Sequence, residues 1–223
     1  MEMGVLRDGY HITPSVLHKV PTLLEYPLSV RRFQRGDMVV RFQEPIRELQ
    51  LMTEGRAKVV TVMGNGRTIL HTMFHGFEVI GDLELLRGYE AATTNIQAIT
   101  EVVTLCIPLQ ACQKKLLADT AMLRLLGEEL AKKLERSSRQ TSQNLLYPLS
   151  ARLAAYLLFS AQKDIFTENL THVSELMATS YRHLLRTLKT FCAEGAICKR
   201  ANGYHILNKE YLAREGESLL WEK

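Results

Sequence analysis

What most constrains the fold of this chain is a change of texture at Pro108. Over residues 26–108, short apolar stretches alternate with single glycines: Gly36, Gly55, Gly64, Gly66, Gly76, Gly81 and Gly88. Glycines at that spacing disfavour helices and suit short strands joined by tight turns, so a compact all-β roll is expected there. The clearest hairpin pairs residues 56–63 with 68–74 around Gly64-Asn65-Gly66, because Asn-Gly accepts the positive φ angles of a tight turn. A last strand is expected over residues 95–107, ended by Pro108, whose nitrogen carries no hydrogen for a ladder bond.

After Pro108 the period changes from two to three or four. Leu116, Leu123, Leu126, Leu130 and Leu134 recur at helical spacing, with Met122 and Leu125 widening the stripe, so a long amphipathic helix is expected from residue 109 to about residue 147. At 1.5 Å per residue, residues 122–144 extend ~34 Å, more than a small roll can cover. Part of the stripe must meet something else. The same helix of a second chain is the economical partner, with Met122, Leu126, Leu130 and Leu134 in the seam of a homodimer. Pro148, beside Ser150, breaks the pattern, and residues 147–150 read as a hinge before a second helix over 151–162. The expected division is a roll over 1–110, a dimerisation helix over 111–147 and a C-terminal domain over 148–223.

The net charge is only +4, from 28 basic and 24 acidic residues, so location matters more than the total. Between Asn169 and Lys209 stand Arg182, Arg186, Lys189, Lys199, Arg200 and Lys209 against Glu175 and Glu194 alone. Within this window Asn169 or Thr171 caps a short helix with Val173, Leu176 and Met177 facing inward. A break follows at Ala178-Thr179, and Ser180 caps a second helix whose buried stripe is Leu184, Leu188 and Phe191. Two short helices so arranged form a helix-turn-helix. Tyr181, Arg182 and Arg186 avoid the buried stripe, and the two arginines, four apart, share a face that can offer guanidinium forks to guanine edges in a major groove. Residues 196–207 then read as two strands around Asn202-Gly203, a wing that places Lys199 and Arg200 against phosphates. The residues expected on double-stranded DNA are Thr171, Ser180, Tyr181, Arg182, Arg186, Lys189, Lys199 and Arg200.

Other classes are set aside on simple grounds. No apolar run approaches the ~20 residues of a membrane span, and Met1-Glu2-Met3-Gly4 lacks the layout of a signal peptide, so a cytoplasmic protein without membrane contact is expected. The four cysteines form no C-x-x-C pair, which argues against structural zinc.

The order of roll, long helix, hinge and winged helix, together with particular residues, resembles the Crp-Fnr family of bacterial transcription regulators over nearly the full length. The matches include Arg35-Gly36-Asp37, Gly55, Gly66, the run Phe74-His75-Gly76-Phe77-Glu78-Val79-Ile80-Gly81-Asp82-Leu83-Glu84-Leu85-Leu86, Asn144-Leu145 and Arg152-Leu153-Ala154. The stretch Thr179-Ser180-Tyr181-Arg182-His183-Leu184-Leu185-Arg186 looks like the YeiL-type branch. The resemblance implies an α+β chain: an N-terminal double-stranded β-helix, or jelly roll, like a cyclic nucleotide-binding domain, a long dimerisation helix, and a C-terminal winged helix-turn-helix. It implies a non-enzymatic regulator whose further partners are RNA polymerase and a small-molecule effector that the sequence does not identify. The effector pocket it points to is Gly81, Asp82 and Leu83, with Ser137 and Ser138 on the long helix.

The departures matter as much. Family members that bind cyclic AMP carry Gly-Glu-Leu at this turn and an arginine about ten residues later for the phosphate. Here the turn is Gly81-Asp82-Leu83 and the arginine position holds Ala92. A phosphate there loses a charge-assisted pair, so cyclic AMP is not expected to bind. The cysteine cluster of Fnr-type oxygen sensors is missing too, since no cysteine precedes Cys106. No cofactor is predicted. One alternative is a redox or iron–sulfur role for Cys106, Cys112, Cys192 and Cys198, against which stands their ordinary use as small buried residues. Another is a cupin-like metal-dependent enzyme with His71, His75 and Glu78 as ligands, against which stand the missing His-x-His pair and fourth ligand.

Overall fold

The glycine-punctuated region forms two four-stranded sheets, and helices pack against the face of one of them. The structure, a computed structural model, describes residues 5–62 and 68–216. An N-terminal hairpin of β1 (Val5–Arg7) and β2 (Tyr10–Ile12) leads into a short helix, α1 (Pro14–Lys19). The roll then runs through β3 (Ser29–Phe33), β4 (Met38–Val40), β5 (Glu48–Glu54), β6 (Arg56–Val62), β7 (Thr68–His75), β8 (Glu78–Ile80), α2 (Asp82–Arg87), β9 (Asn95–Ala98) and β10 (Val102–Pro108). One sheet has the order β3-β10-β5-β8 and the other β4-β9-β6-β7. β6 and β7 are neighbours, as the hairpin reading requires, while the Gly64-Asn65-Gly66 turn lies outside the described residues.

The single strand expected over residues 95–107 is instead two strands in different sheets. The chain turns at Ile99-Thr100-Glu101, where the amides of Ile99 and Thr100 both bond the Arg56 carbonyl and the Thr100 hydroxyl accepts from the Arg56 amide. These bonds satisfy the corner without glycine or proline, which is why no breaker marks it in the sequence. β10 is central in its sheet and covered on both faces, so Val102 to Ile107 are all buried and alternation disappears from the sequence. Leu49, Leu51, Val103, Leu105 and Ile107 pack on one side of this sheet with Leu23, Cys112, Leu116, Met122, Leu125 and Leu126. Met52, Ile80 and Val102 face the opposite way, toward Val39, Val59, Phe74, Ala92 and Ile96.

The long helix is likewise divided, into α3 (Leu109–Ala118) and α4 (Thr120–Leu146). Asp119 separates them and caps α4, its Oδ1 accepting from the amides of Ala121 and Met122 at 2.9 and 3.1 Å. The Tyr26 hydroxyl donates to Oδ2 of the same carboxylate at 2.8 Å. Burial alone would raise the Asp119 carboxyl, but the hydrogen bonds it accepts bring it below the usual carboxylate value.

Beyond Pro148 come α5 (Leu149–Ser160), β11 (Ile165–Phe166), α6 (Leu170–Leu176), α7 (Tyr181–Ala193), β12 (Ile197–Arg200), β13 (Gly203–Ile206) and α8 (Lys209–Glu215). The three short strands form a sheet of order β11-β13-β12, a winged helix-turn-helix. The chain divides into two compact units, residues 1–59 with 72–137, and residues 60–71 with 138–223.

Candidate nucleic-acid interface and ligand cassette

The helix-turn-helix is built by its caps. Asn169 opens α6, its side chain accepting from the amides of Thr171 and His172, and Ser180 opens α7 by accepting from the His183 amide at 3.2 Å. Between them Ala178 adopts φ +46°, its amide bonds the Glu175 carbonyl, and the Thr179 amide reaches back to Ser174. That is a Schellman closure with alanine where glycine is usual. At the other end of α7 the same closure uses Gly195 at φ +68°. Arg152 on α5 steadies the turn from behind. Its Nη1 donates to the Met177 carbonyl at 2.9 Å, placing a cation on the C-terminus of α6, and burial lowers the guanidinium from its ordinary value. In the sequence Arg152 stands out only as part of the tripeptide Arg152-Leu153-Ala154.

On α7, Leu184, Leu188 and Phe191 are buried as expected, and Thr187 joins them. Arg182, Arg186 and Lys189 follow the opposite edge at i, i+4 and i+7, all exposed, with Tyr181 exposed at the helix start. Lys199 and Arg200 are exposed on β12, and Thr171 is exposed at the start of α6. None of these five cations makes a salt bridge or side-chain hydrogen bond among the described residues. All eight expected DNA-contacting residues therefore belong to one small unit, six of them on or beside the helix-turn-helix and two on the wing.

In the roll, the expected effector residues are enclosed differently. Gly81, at φ +90°, starts α2, and a Cβ there would lie 3.1 Å from the Glu48 carbonyl oxygen. Asp82 is buried, and both its oxygens accept from Lys133 Nζ of α4, at 2.8 and 2.7 Å. The same ammonium also bonds the Val79 carbonyl. Glu78, also buried, is gripped by both terminal nitrogens of Arg136, with Nη2 to Oε2 at 2.8 Å. Both cations stand over the Phe74 ring, 5.3 and 5.8 Å from its centroid. Glu84, buried too, accepts from the Thr93 amide at 3.0 Å and the Thr93 hydroxyl at 2.8 Å, both on Oε1. Ala92 is buried in the apolar cluster, its amide paired with the Glu44 carbonyl. Leu83 is exposed, Ser137 half-buried and Ser138 exposed. Lys133, Arg136, Glu84 and Thr93 were not singled out from the sequence. The spacing of 133 and 136 on a helix was a usable signal, but their partners lie 51 and 58 residues away.

Met122 and Leu126 were expected in a dimer seam. Both are fully buried in the roll's own core, because the first turns of α4 lie on its β3-β10-β5-β8 sheet, so neither has surface left to offer. Leu130 is half-buried and Leu134 is 70% exposed.

The alternative ligand sets are also placed. His71 Nε2 lies 2.9 Å from the Thr61 hydroxyl and burial lowers its pKa, while both Glu78 oxygens are held by Arg136. Among the described residues no three His, Cys, Asp or Glu side chains stand together as a metal site. The four cysteines are free thiols. Cys106 and Cys112 are buried, and burial pushes the Cys106 thiol up to about 11, away from reactive thiolate. No helix among the described residues is long and apolar enough to cross a membrane.

Comparison with known proteins adds to this geometry. The pattern of the cyclic nucleotide-binding domain matches residues 30–119. The regulatory protein YeiL of Escherichia coli O157:H7 is 35% identical over 182 residues, covering 81% of this chain and 82% of its own. A CRP-family transcriptional regulator of Thermus thermophilus superposes with a TM-score of 0.70 at 23% identity, over 86% of this chain and 98% of its own. The c-di-GMP responsive global regulator CLP of Xanthomonas campestris superposes with a TM-score of 0.65 at 17% identity, over 85% and 98%.

Proposed function

Because the chain belongs to the Crp-Fnr family of transcription regulators, we propose that it reads an inverted-repeat operator in double-stranded DNA as a homodimer and that its roll takes no cyclic AMP. The observation that carries the DNA reading is the row Arg182, Arg186 and Lys189, exposed on a capped helix, with Lys199 and Arg200 exposed on the wing and no acid among the described residues holding any of them. Guanidinium groups left hydrated beside a helix of groove-fitting size can exchange water for base edges and phosphates at little cost. Arg186 is assigned to a base edge, with Arg182 and Tyr181 setting neighbouring preferences. Lys199 and Arg200 are assigned to phosphates.

For the dimer, α4 has two faces. Met122, Leu126, Glu129, Lys133 and Arg136 are turned to the roll, whereas Leu123, Gly127, Leu130 and Leu134 recur at four, three and four residues on the other side and keep accessible surface. That second spacing is the seam of a two-stranded coiled coil, and it replaces the seam drawn through Met122 and Leu126. A two-fold dimer presents two α7 helices about one duplex turn apart, so half-sites are spaced by ~10 base pairs.

Selection of a randomised duplex pool by the full chain, with sedimentation in parallel, tests the reading. The expected result is a dimer and an inverted repeat. Lys199→Ala is expected to keep the same consensus while lowering the slope of affinity against salt by about one unit for each phosphate it no longer neutralises. A monomer at micromolar concentration, or a pool without any enriched sequence, overturns the proposal.

A further inference from the structure

We propose that the ligand cassette of this roll, residues 78–93, is filled by the protein's own side chains: Glu84 is its built-in anion and Lys133 its built-in cation. The inference rests on the reading that the roll takes no cyclic AMP, and it goes further by naming what stands in for a ligand.

Three groups carry it. Thr93 turns its amide and its hydroxyl on a single point, and that point is Oε1 of Glu84, a residue only 7% exposed. Two converging donors in a place shielded from water form a cradle for one anionic oxygen, and here it is occupied. Asp82, an acid of the effector pocket that the resemblance implies, has both oxygens on Lys133. The third group is Ala92, packed among Val39, Val40, Phe74 and Ile96 where an incoming phosphate needs a cation. A diffusible anion would have to expel Glu84, break the Lys133 pair and settle without a positive partner. A second negative charge beside Glu84 is repelled the more strongly as the local dielectric falls.

The arrangement has a consequence for α4. Lys133 and Arg136 are one turn apart on it, and each ends on a buried acid of β8 or α2. The segment of α4 up to residue 137 is therefore tied to the roll at both acids without any small molecule.

Chemical rescue in the full-length protein tests the assignment. The thermal midpoint is measured in chloride, acetate and inorganic phosphate at matched ionic strength, and cyclic AMP is titrated in parallel by calorimetry. Wild type is expected to show the same midpoint in all three salts and no saturable heat with cyclic AMP at millimolar concentration. Glu84→Ala is expected to melt several degrees lower in chloride and to regain part of the loss in acetate. The rescue should vanish when Thr93→Val is added. A Glu84→Ala chain indifferent to acetate overturns the built-in anion while leaving the cyclic AMP reading intact. Micromolar binding of cyclic AMP to wild type overturns both. If Glu84→Ala does not fold, Glu84→Gln, Thr93→Val and their double variant form a cycle, in which strictly additive midpoint shifts would sink the proposal and non-additive ones support it.

Discussion

In the roll, Lys132, Lys133 and Arg136 each end on a buried carboxylate, Glu129, Asp82 and Glu78 in turn; on α7 and the wing, Arg182, Arg186, Lys189, Lys199 and Arg200 end on none among the described residues. Both sets are cationic side chains of one chain, so the difference lies in their surroundings. An acid removed from water must be paired at once, and the long helix supplies the partners. A cation left in water needs no partner to be stable, and is the one that a polyanion can recruit by displacing loosely held counterions. Internally matched charge therefore marks where the chain holds itself together, and the unmatched charge on α7 and the wing is what the proposed contact with DNA draws on.

Exchanging the two kinds of residue is the sharpest way to break this contrast. Lys133→Met leaves Asp82 buried without its cation and is expected to cost about 3–5 kcal/mol of stability, read by denaturant unfolding. A loss below about 1 kcal/mol, the ordinary worth of an exposed pair, would show that the interior pair is no different from a surface one. Arg186→Ala, by contrast, should leave stability within about 0.5 kcal/mol, as expected for surface substitutions. Its effect should appear in DNA binding, about 1–3 kcal/mol for each base edge left unread, with flattened preference at one position of each half-site. Unchanged preference in this variant would mean that α7 is not the reader.

Smaller effects sharpen the comparison within each unit. Ala178 and Gly195 close α6 and α7 by the same hydrogen-bond pattern, but only alanine carries a Cβ against the left-handed conformation. Ala178→Gly is expected to raise stability by about 1 kcal/mol, after the entropy of the freer chain is offset, without altering base preference. Matched thermal melts and operator selections of the two chains check both halves of that expectation. The smallest effect concerns acid. Burial holds the His71 imidazole below its ordinary pKa, so the unfolded chain gains a proton first as pH falls below about 6.5, and the stability due to this neutral side chain is lost from there down through the folded value. His71→Gln should flatten the fall of the thermal midpoint in that window. An unchanged slope would assign the acid sensitivity elsewhere.

How far these features were readable depends on whether their cause is local. α7 and its cap were legible because Ser180 and the stripe Leu184, Leu188 and Phe191 act within the helix itself. The wing was legible from Asn202-Gly203. The corner between β9 and β10 was not, because its bonds come from Arg56 on another strand, and the break at Asp119 was not, because an N-cap inside an apolar period leaves the period intact. The seam was half legible. A stripe of leucines shows that α4 has apolar faces, but which face the roll claims is decided by the sheet beneath Met122 and Leu126. The filled cassette lay furthest from view, since Glu84 with Thr93 and Lys133 with Asp82 meet only after the roll has closed.

A side chain that occupies its own chain's binding site has an effective concentration fixed by covalent attachment, not by supply. For Glu84 in the Thr93 cradle that concentration is the same in a starved cell and a well-fed one, and in a dilute lysate. Dialysis, which empties the pocket of a sensor with a diffusible ligand, leaves this pocket full, and the roll emerges from purification in the state it held before.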